Sequence, residues 1–465
     1  MKLPETISEC HELIKQLVTI VEVLQREIQD LKQQVNQNSR NSHRPPSSDG
    51  LGKPAFPASK KGKRGGQSGH SGKTLKMVEA ADTVHVLKPG FCQGCQQAIG
   101  QDSAMVFLDK RQVFDLPAIQ LEVTEYQRFG CTCTRCGHQN NAEFPTGVTG
   151  PVQYGPGVKS LVTLLHQNGC MSVAKVQRLF NDLFGSPLNE ATIQKCQLTA
   201  FDRLEAEENY IKSQLQAAAV VNADESGIRC EGKLFWLHEM GNTRFTHQFV
   251  HERRGMAAHE DENALLKHLK GWLVHDCWAP YFSLNDCKHA LCNAHLLREL
   301  KALEENGRKW AKDFHALLMD VYSKTEQGKS KLPEQEYQSV IIQYQRLLEN
   351  GYAEESPPVI AAKKGKPKKT KGRNLLERLD MHWEAVLAFA NHTDVPFTNN
   401  LAERDIRPAK SKIKVAGCFR TIQGAKAYAR IHSFISTVRK HQYNPFNELI
   451  NIFSGLTPQY RTATT

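Results

Sequence analysis

The stretch VVNADESGIRC, residues 220–230, decides how the central part of the chain is interpreted. A short apolar run ends there on two adjacent acids, Asp224 and Glu225, followed by a Ser-Gly pair that is expected to end the strand. Two interpretations fit: an ordinary turn after a buried strand, or a metal-binding acid at the tip of a central strand. Because side chains alternate across a strand, we expect Asp224 to face the metal and Glu225 to cap the turn or pair with a base such as Arg229.

The residues that follow predict a mixed sheet. Three more segments have strand patterns, and two have helical ones. The strands are expected in residues 233–252 (two strands around a Gly-Asn turn), 272–276 and 288–293, and the helices in residues 262–272 and 294–306. With a very short second helix near residues 280–286, the order β-β-β-α-β-α-β is that of a ribonuclease-H-like sheet with helices on its faces. In that sheet the strands that end in Asp224 and Asp276 lie side by side.

A third acid completes a candidate catalytic site. Glu403 is expected one turn into a helix whose N-cap is Thr398 or Asn399. Together with Asp224 and Asp276 it forms an oxygen-ligand set that suits hard cations, and two such ions promote phosphodiester cleavage and transfer. Each acid also has a structural interpretation, as a turn cap or as part of a surface ion pair.

The first segment is strongly periodic. Apolar residues recur every seven positions in two series offset by three, the first β-branched and the second mainly Leu. The series are Ile7, Ile14, Val21, Ile28 and Val35, and Leu3, Cys10, Leu17, Leu24 and Leu31. This pattern predicts a parallel two-stranded coiled coil, and therefore self-association. The alternative is an amphipathic helix packed on its own chain.

Positive charge is concentrated in two segments that cannot form a core. The formal net charge is +11, and residues 36–75 and 362–373 carry +7 each, so the rest of the chain carries about −3. Their Gly, Pro, Ser and Lys content predicts flexible loops that bind a polyanion, most commonly nucleic acid. Solubilising linkers are the alternative.

Two C-x-x-C pairs predict structural zinc. The four residues are Cys92, Cys95, Cys133 and Cys136. Thiolates two apart on a tight turn suit Zn²⁺, with Cys131 and His138 as spare ligands and unligated thiols as the alternative. The alternating pattern of residues 113–131 predicts hairpin strands between the pairs, as in a zinc ribbon.

Residues 155–214 are predicted to be helical. The segments 172–185 and 186–197 predict two helices across a turn, which fits a DNA-binding helix-turn-helix and a plain helical hairpin equally well. No apolar run is long enough to cross a bilayer, and the N-terminus lacks the layout of a secretory signal. We therefore expect an intracellular protein.

The expected fold is multidomain α+β, with a helical insertion in the catalytic domain. The boundaries are 1–37 for the coiled coil, 38–77 for the basic linker, 78–150 for the zinc-ribbon-like domain, 151–216 for the helical, DNA-binding region, 217–302 for the first part of the ribonuclease-H-like core, 303–395 for the insertion with its basic loop, and 396–465 for the second part of the core and the C-terminal helices.

Over nearly its whole length the chain resembles the insertion sequence 66 family of bacterial DDE transposases. The matching stretches are NSRNSHRPPSSDG, GKRGGQSGHSGK, the paired C-x-x-C, ADESGIR, HDCWAPYF, CNAHLLREL, NNLAERDIRP and IHSFISTVRKHQYNPFNEL. The chain departs from the family in having Cys277, where a Gly usually follows the second acid. CNAHLLREL is also a less typical spelling, although Cys292, His295 and Arg298 stand at the expected places.

The resemblance implies a transposase with Asp224, Asp276 and Glu403 as catalytic acids that bind Mg²⁺ or Mn²⁺. It places structural Zn²⁺ on the four cysteines. The residues expected to contact DNA are Lys60, Lys61, Lys63, Arg64, His295, Arg298, Asn400, Arg404 and Arg407. For His295 a packing role is the alternative, and for Arg404 and Arg407 a salt-bridged exposed face.

The implied reaction is hydrolysis of one strand at each transposon end, followed by attack of the freed 3′-OH on target DNA. The expected partners are double-stranded DNA, a second or further copies of the chain and small accessory proteins of the same element, with no membrane. The expected location is the bacterial cytoplasm, at the nucleoid. Two rival functions are a non-catalytic DNA-binding dimer, such as a repressor or a decayed element protein, and a metal-dependent nuclease that does not join strands.

Overall fold

The computed structural model describes seven stretches of the chain. They are residues 6–35, 37–38, 41–42, 75–100, 102–261, 264–355 and 369–462. The basic residues Lys60, Lys61, Lys63 and Arg64 lie outside these stretches. Residues 56–125 form one compact unit, and residues 1–55 together with 126–465 form the other. None of the described helices is both long and apolar enough to cross a bilayer.

The smaller unit is mainly extended in its described residues. Its one isolated β-bridge pairs Phe91 with Ala98 around the first C-x-x-C turn. The prediction of hairpin strands in residues 113–131 is wrong: the described residues before Gly130 form no strand there, and Val113 is 90% exposed. An alternating pattern gives a stable strand only when a partner strand and a packed face are available.

Helix α1, Ile7–Val35, begins the larger unit. The predicted helix is confirmed. Of the heptad residues, Leu3 lies outside the described residues and Cys10 is half-buried, while the other eight are exposed, with Ile14 at 55% and Leu24 at 50%. In the described part of the chain, most of this seam is therefore uncovered. The coiled coil stays a prediction.

A small hairpin and four helices follow. They are β1 (Gly130–Thr132), β2 (Gln139–Asn141), α2 (Pro156–Thr163), α3 (Val173–Phe184), α4 (Glu190–Arg203) and α5 (Glu205–Gln216). Ser172 caps α3, Gly185 ends it in the left-handed conformation, and Asn189 caps α4. The two predicted helices are confirmed, while the choice between helix-turn-helix and helical hairpin stays open.

The core of the larger unit is a five-stranded mixed sheet. Its strands are β3 (Val220–Cys230), β4 (Lys233–Gly241), β5 (Thr246–His251), β6 (Trp272–His275) and β7 (Lys288–Leu291). The order across the sheet is β5-β4-β3-β6-β7; β3, β4 and β5 are antiparallel neighbours, and β6 and β7 run parallel to β3. All five predicted strands are confirmed, and so is the side-by-side placement of the two strands that carry the acids.

Two local predictions in this region are wrong. The Ser-Gly pair does not end β3, which continues to Cys230 because antiparallel pairing with β4 extends to the hairpin. Asp224 thus lies in the middle of a strand rather than at its tip. The predicted helix of residues 262–272 is only a 3₁₀ turn at Leu266–His268 in its described part, since β6 already begins at Trp272.

Helices cover both faces of the sheet. In chain order they are α6 (Met256–His259), α7 (Asn293–Glu305), α8 (Lys309–Lys324), α9 (Glu334–Glu354), α10 (Lys371–Met381), α11 (Trp383–Asn391), α12 (Asn400–Ala416), α13 (Ile422–Lys440), α14 (Pro445–Ser454) and α15 (Gln459–Thr462). Helices α7 to α11 share one apolar core with the β7 edge, and α5, α13 and α14 pack on residues of β3 to β6 such as Val221 and Leu273. A third cluster holds α12 against β3 and β4 through Ile406.

Gly271 is required by the β3–β6 junction. A Cβ at this position would lie 2.5 Å from the carbonyl oxygens of both Ala218 and Ala219. We expect Gly271→Ala to lower the free energy of unfolding by about 1–3 kcal/mol, because the backbone of β3 must shift. Chemical denaturation measures this. Gly157→Ala in α2, where no atom lies within 4 Å, is the control and is expected to be neutral or slightly stabilising. A Gly271→Ala variant as stable as the wild type would contradict this account.

Candidate active site

The register between β3 and β6 brings the first two acids together. The parallel pairing places Val220, Val221 and Asn222 opposite Trp272, Leu273 and Val274. The β3–β6 pairing ends at Asn222 and Val274; continued by two residues, the same register would bring Asp224 and Asp276 close together on one face of the sheet. Besides burial, the negative charge of Asp276 contributes to the raised pKa of Asp224, which agrees with this proximity.

The pKa of Asp224 reflects its burial and its acidic neighbours. Burial, followed by the negative charges of Glu225 and Asp276, raises the pKa of Asp224 to about 7, while Lys410 acts in the opposite direction. A carboxylate pair of this kind is stabilised by a cation placed between its members. The Asp276 carboxylate also accepts a hydrogen bond from the Trp278 backbone N–H at 3.1 Å. Asp276 therefore caps its turn and lies at the site.

Glu225 lies on the opposite face, as alternation requires. Its carboxylate accepts hydrogen bonds from Arg254 Nε at 2.6 Å and from the Tyr281 hydroxyl. The prediction of a basic partner is confirmed, but the choice of Arg229 is wrong, because Arg229 donates to the Gly232 carbonyl at the exposed hairpin end instead. Arg254 comes from the segment after β5, and its sequence distance from Glu225 hid the pair.

Asn399 fixes the helix that carries Glu403. Asn399 Nδ2 donates to the Ala223 carbonyl at 2.7 Å, and its Oδ1 accepts from Asn222 Nδ2 at 2.9 Å. Asn399 is the N-cap residue of α12 by position. The prediction that its side chain caps the helix is wrong, because this side chain makes no capping hydrogen bond. It bonds to β3 instead, one residue before Asp224. Glu403, in the first turn of α12, is thereby held over the strand that carries the first acid.

Glu403 lies near a thiol and an imidazole. Its Oε1 lies 3.8 Å from His295 Nε2, and one ligand atom from each of Cys292, His295 and Glu403 lies within 4.8 Å of the others. Cys292 Sγ accepts a hydrogen bond from the Asn399 backbone N–H at 3.1 Å. Burial raises the pKa of the Cys292 thiol to about 11. The neighbourhood of Glu403 thus joins the start of α7 to the start of α12.

A cavity of about 250 Å³ opens beside Asp276. Arg254 and His295 contribute to its lining, as does Trp278. The Arg254 guanidinium lies 4.1 Å from the centroid of a Trp278 ring and is tied to Glu225 behind it. The Trp278 ring and the Glu225 carboxylate hold the Arg254 guanidinium at the edge of the site. No sequence pattern predicted that Arg254 lies there.

A fourth acid lies under α12. Glu239 on β4 is paired directly with Asp224 in the antiparallel register and is 1% exposed. Neither of its carboxylate oxygens is hydrogen-bonded to a described residue, and burial with nearby Asp405 raises its pKa well above the ordinary value. Lys440 pairs with Asp405 at 2.5 Å and partly offsets this charge. The sequence signal was weak because Glu239 stands among apolar residues of an ordinary-looking strand.

The predicted DNA-contacting residues of α12 form one exposed stripe. Asn400, Arg404 and Arg407 are all exposed and recur at three- and four-residue spacing. Neither arginine forms an ion pair with any residue that the structure describes. This observation disfavours the alternative of a salt-bridged surface. Arg298 is half-buried on α7.

Each C-x-x-C pair forms the same tight turn. In the first turn, the Cys92 N–H donates to the Gln97 carbonyl and the Gln96 N–H donates to the Cys92 carbonyl. In the second turn, the Cys133 N–H donates to the His138 carbonyl and the Gly137 N–H donates to the Cys133 carbonyl. Backbone amides within each turn lower the pKa of the first thiol of the pair. Each turn therefore favours thiolates, which are the form that binds metal. Zinc on all four cysteines stays a prediction.

One family model, described as "Transposase IS66 family", matches residues 151–427. A second, described as a family of unknown function (DUF6444), matches residues 2–76. A search of curated proteins finds no match to the chain. The first match spans all three candidate acids and excludes the cysteine turns.

Removing the Asn399 side chain tests whether it holds α12 on β3. In Asn399→Ala, the Asn222 amide and the Ala223 carbonyl lose their buried partner, so we expect the free energy of unfolding to fall by about 1–3 kcal/mol. Asn400→Ala, at the next and exposed position, is expected to change it by less than about 0.5 kcal/mol. Denaturant unfolding followed by circular dichroism measures both, and equal midpoints for the two variants would contradict the assignment.

Proposed function

Because the chain belongs to the IS66 family of transposases, we propose that Asp224, Asp276 and Glu403 are its catalytic acids and act as a DDE site. The observation that supports this proposal is the parallel pairing of β3 with β6, which sets the strands leading to Asp224 and Asp276 side by side, next to the helix α12 that carries Glu403. The reaction is hydrolysis of a strand at each transposon end and transfer of the freed 3′-OH to target DNA.

The sheet supports a ribonuclease-H-like core. The sheet has three antiparallel strands, β3 to β5, followed by two strands, β6 and β7, that run parallel to β3, and β3 lies in its centre. This is the arrangement expected from the predicted order of elements. Helices α8 to α11 then form the insertion between the second and third acids. The apolar core that they share with the β7 edge makes the insertion part of the same structural unit.

The three acids fit divalent hard cations, Mg²⁺ or Mn²⁺. All three supply carboxylate oxygens, Glu403 Oε1 is not hydrogen-bonded to any described residue, and burial together with the neighbouring carboxylates raises the pKa of Asp224. Asp224 and Asp276 would hold both ions and Glu403 one of them. Bound in this way, the ions supply activation of the attacking oxygen and stabilisation of the leaving one.

Neighbouring side chains would position the DNA strand. Arg254 places a fixed positive charge beside Asp276, and its planar donor groups suit phosphate oxygens. His295 lies at the same cavity, within reach of a scissile phosphate or a displaced end base. The aromatic walls around Arg254, including Trp278, shield the reacting atoms from bulk water.

The remaining features serve DNA binding and assembly. The stripe of Asn400, Arg404 and Arg407 on α12 faces outward next to the site and suits DNA phosphates. The exposed seam of α1 suits a second copy of the chain, and zinc would stabilise the cysteine turns. The two basic segments, 36–75 and 362–373, add non-specific attraction for DNA.

Isosteric neutralisation of each acid tests the mechanism. We expect Asp224→Asn, Asp276→Asn and Glu403→Gln each to lower strand cleavage by about 10³-fold or more while end binding is retained, because only the metal ligands are removed. Cleavage and strand transfer on DNA with transposon ends in Mg²⁺ measure this. Glu384→Gln, an exposed acid on α11, is the control.

The outcome also separates the rival functions. A wild type that binds the ends but never cleaves them would leave a non-catalytic DNA-binding protein. Cleavage without strand joining would leave a nuclease. Normal cleavage by all three variants would remove the acids from the mechanism.

The exposed stripe of α12 makes a separate prediction about affinity. We expect the double variant Arg404→Ala/Arg407→Ala to bind end DNA about tenfold more weakly. The slope of log K against log salt should decrease in magnitude by about 2, roughly 0.9 for each phosphate that the variant no longer neutralises. Arg346→Ala, an exposed arginine on α9, is the control for removal of charge alone. An unchanged salt slope in the double variant would place the DNA elsewhere.

A further inference from the structure

A second kind of metal site shares one residue with the proposed catalytic acids. Cys292 directly follows β7 and is the N-cap of α7, His295 lies in the first turn of α7, and Glu403 lies in the first turn of α12. One sulfur, one imidazole nitrogen and one carboxylate oxygen from these residues lie within 4.8 Å of one another. The Asn399 N–H bond to Cys292 Sγ holds the two helix starts together.

We propose that Cys292, His295 and Glu403 form a binding site for Zn²⁺ or a similar borderline-soft transition metal. Thiolate, imidazole and carboxylate are the zinc ligands of proteins. A tetrahedral ion with bonds of about 2.0–2.3 Å places its ligand atoms roughly 3.3–3.8 Å apart. The 3.8 Å between His295 Nε2 and Glu403 Oε1 is a few tenths of an ångström longer than the roughly 3.3–3.5 Å of a nitrogen–oxygen pair on zinc, so small side-chain rotations would complete the three-ligand set.

The surroundings of the sulfur suit a thiolate held by a metal. Without metal, burial keeps the Cys292 thiol protonated, but backbone N–H groups of Asn399, His295 and Ala294 all favour the anion. Binding of a transition metal would release the thiol proton to solvent and form the metal–sulfur bond. Mg²⁺ prefers oxygen ligands, so the Cys292 sulfur does not increase the affinity of this site for Mg²⁺. Cys292 and His295 also line the cavity beside Asp276, which leaves room for a water as fourth ligand.

Shared use of Glu403 has a functional consequence. A zinc ion held by Cys292 and His295 takes up the carboxylate that we assign to the catalytic cations. Zinc therefore inhibits strand cleavage by competing for Glu403. This consequence rests on the proposed function, whereas zinc binding itself does not.

Zinc binding is tested on the full-length chain with Zn²⁺ alone. Native mass spectrometry counts bound ions, and titration against a chromophoric chelator gives the affinity of each. We expect Cys292→Ser to lose one bound equivalent and Glu403→Gln to bind that equivalent at least tenfold more weakly. Cys196→Ser, which removes another buried thiol, on α4, is expected to match the wild type.

His295→Gln provides a second variant that removes a ligand, and circular dichroism shows which variants are folded. Unchanged zinc content and affinity in folded Cys292→Ser or His295→Gln would overturn the site.

Inhibition is tested by cleavage in Mg²⁺ with increasing Zn²⁺, each variant being compared with its own zinc-free rate. The zinc concentration that halves the rate is expected to be at least tenfold higher for Cys292→Ser than for wild type or Cys196→Ser. Equal zinc sensitivity would overturn the competition. A zinc-free wild type that never cleaves DNA would instead overturn the proposed function, with the result of the binding experiment still valid.

Discussion

The parallel pairing of β3 with β6 is the constraint on which the candidate site depends. It sets Asn222 opposite Val274, and the same register continued by two residues would bring Asp224 close to Asp276. A shift of one residue in either strand would turn one acid to the other face of the sheet. The close approach at Gly271 and the apolar residues on both faces maintain this register, so the packing of the core determines the geometry of the carboxylates.

The third acid depends on a different kind of contact. Glu403 reaches the site from a helix about 180 residues away in the chain, and Asn399 bonds that helix directly to the backbone of β3. Buried hydrogen bonds are directional, so they fix position more sharply than apolar packing does. The same short segment bonds to Cys292 at the start of α7. Three elements from distant parts of the sequence therefore meet at one point.

Charge is concentrated around that point. Asp224, Glu225 and Glu239 lie within two neighbouring strands, and burial together with nearby negative charges raises the pKa of each. Glu225 is paired with Arg254, and Glu239 is fully buried under α12. Both therefore differ from Asp224, which is partly exposed. Asp224 alone combines partial exposure with a second carboxylate alongside. Folding thus leaves one of these three acids accessible for the metal binding that we propose.

Local sequence determined the elements of this protein. Strand alternation predicted the five strands, heptad spacing predicted α1, and the rule that neighbouring side chains alternate separated Asp224 from Glu225, because each of these patterns depends on residues close in the chain. The family resemblance, which is confirmed over residues 151–427, implied the three acids that we propose as catalytic. The extent of β3 was beyond local reasoning, since pairing with β4 overrode the Ser-Gly turn signal. Tertiary structure alone decided that Arg254 pairs with Glu225, that Asn399 bonds to β3 instead of capping its helix, and that Glu403 meets Cys292 and His295. These contacts join residues 29 to 177 positions apart, and their free energy comes from burial and hydrogen bonding that exist only once the chain has folded.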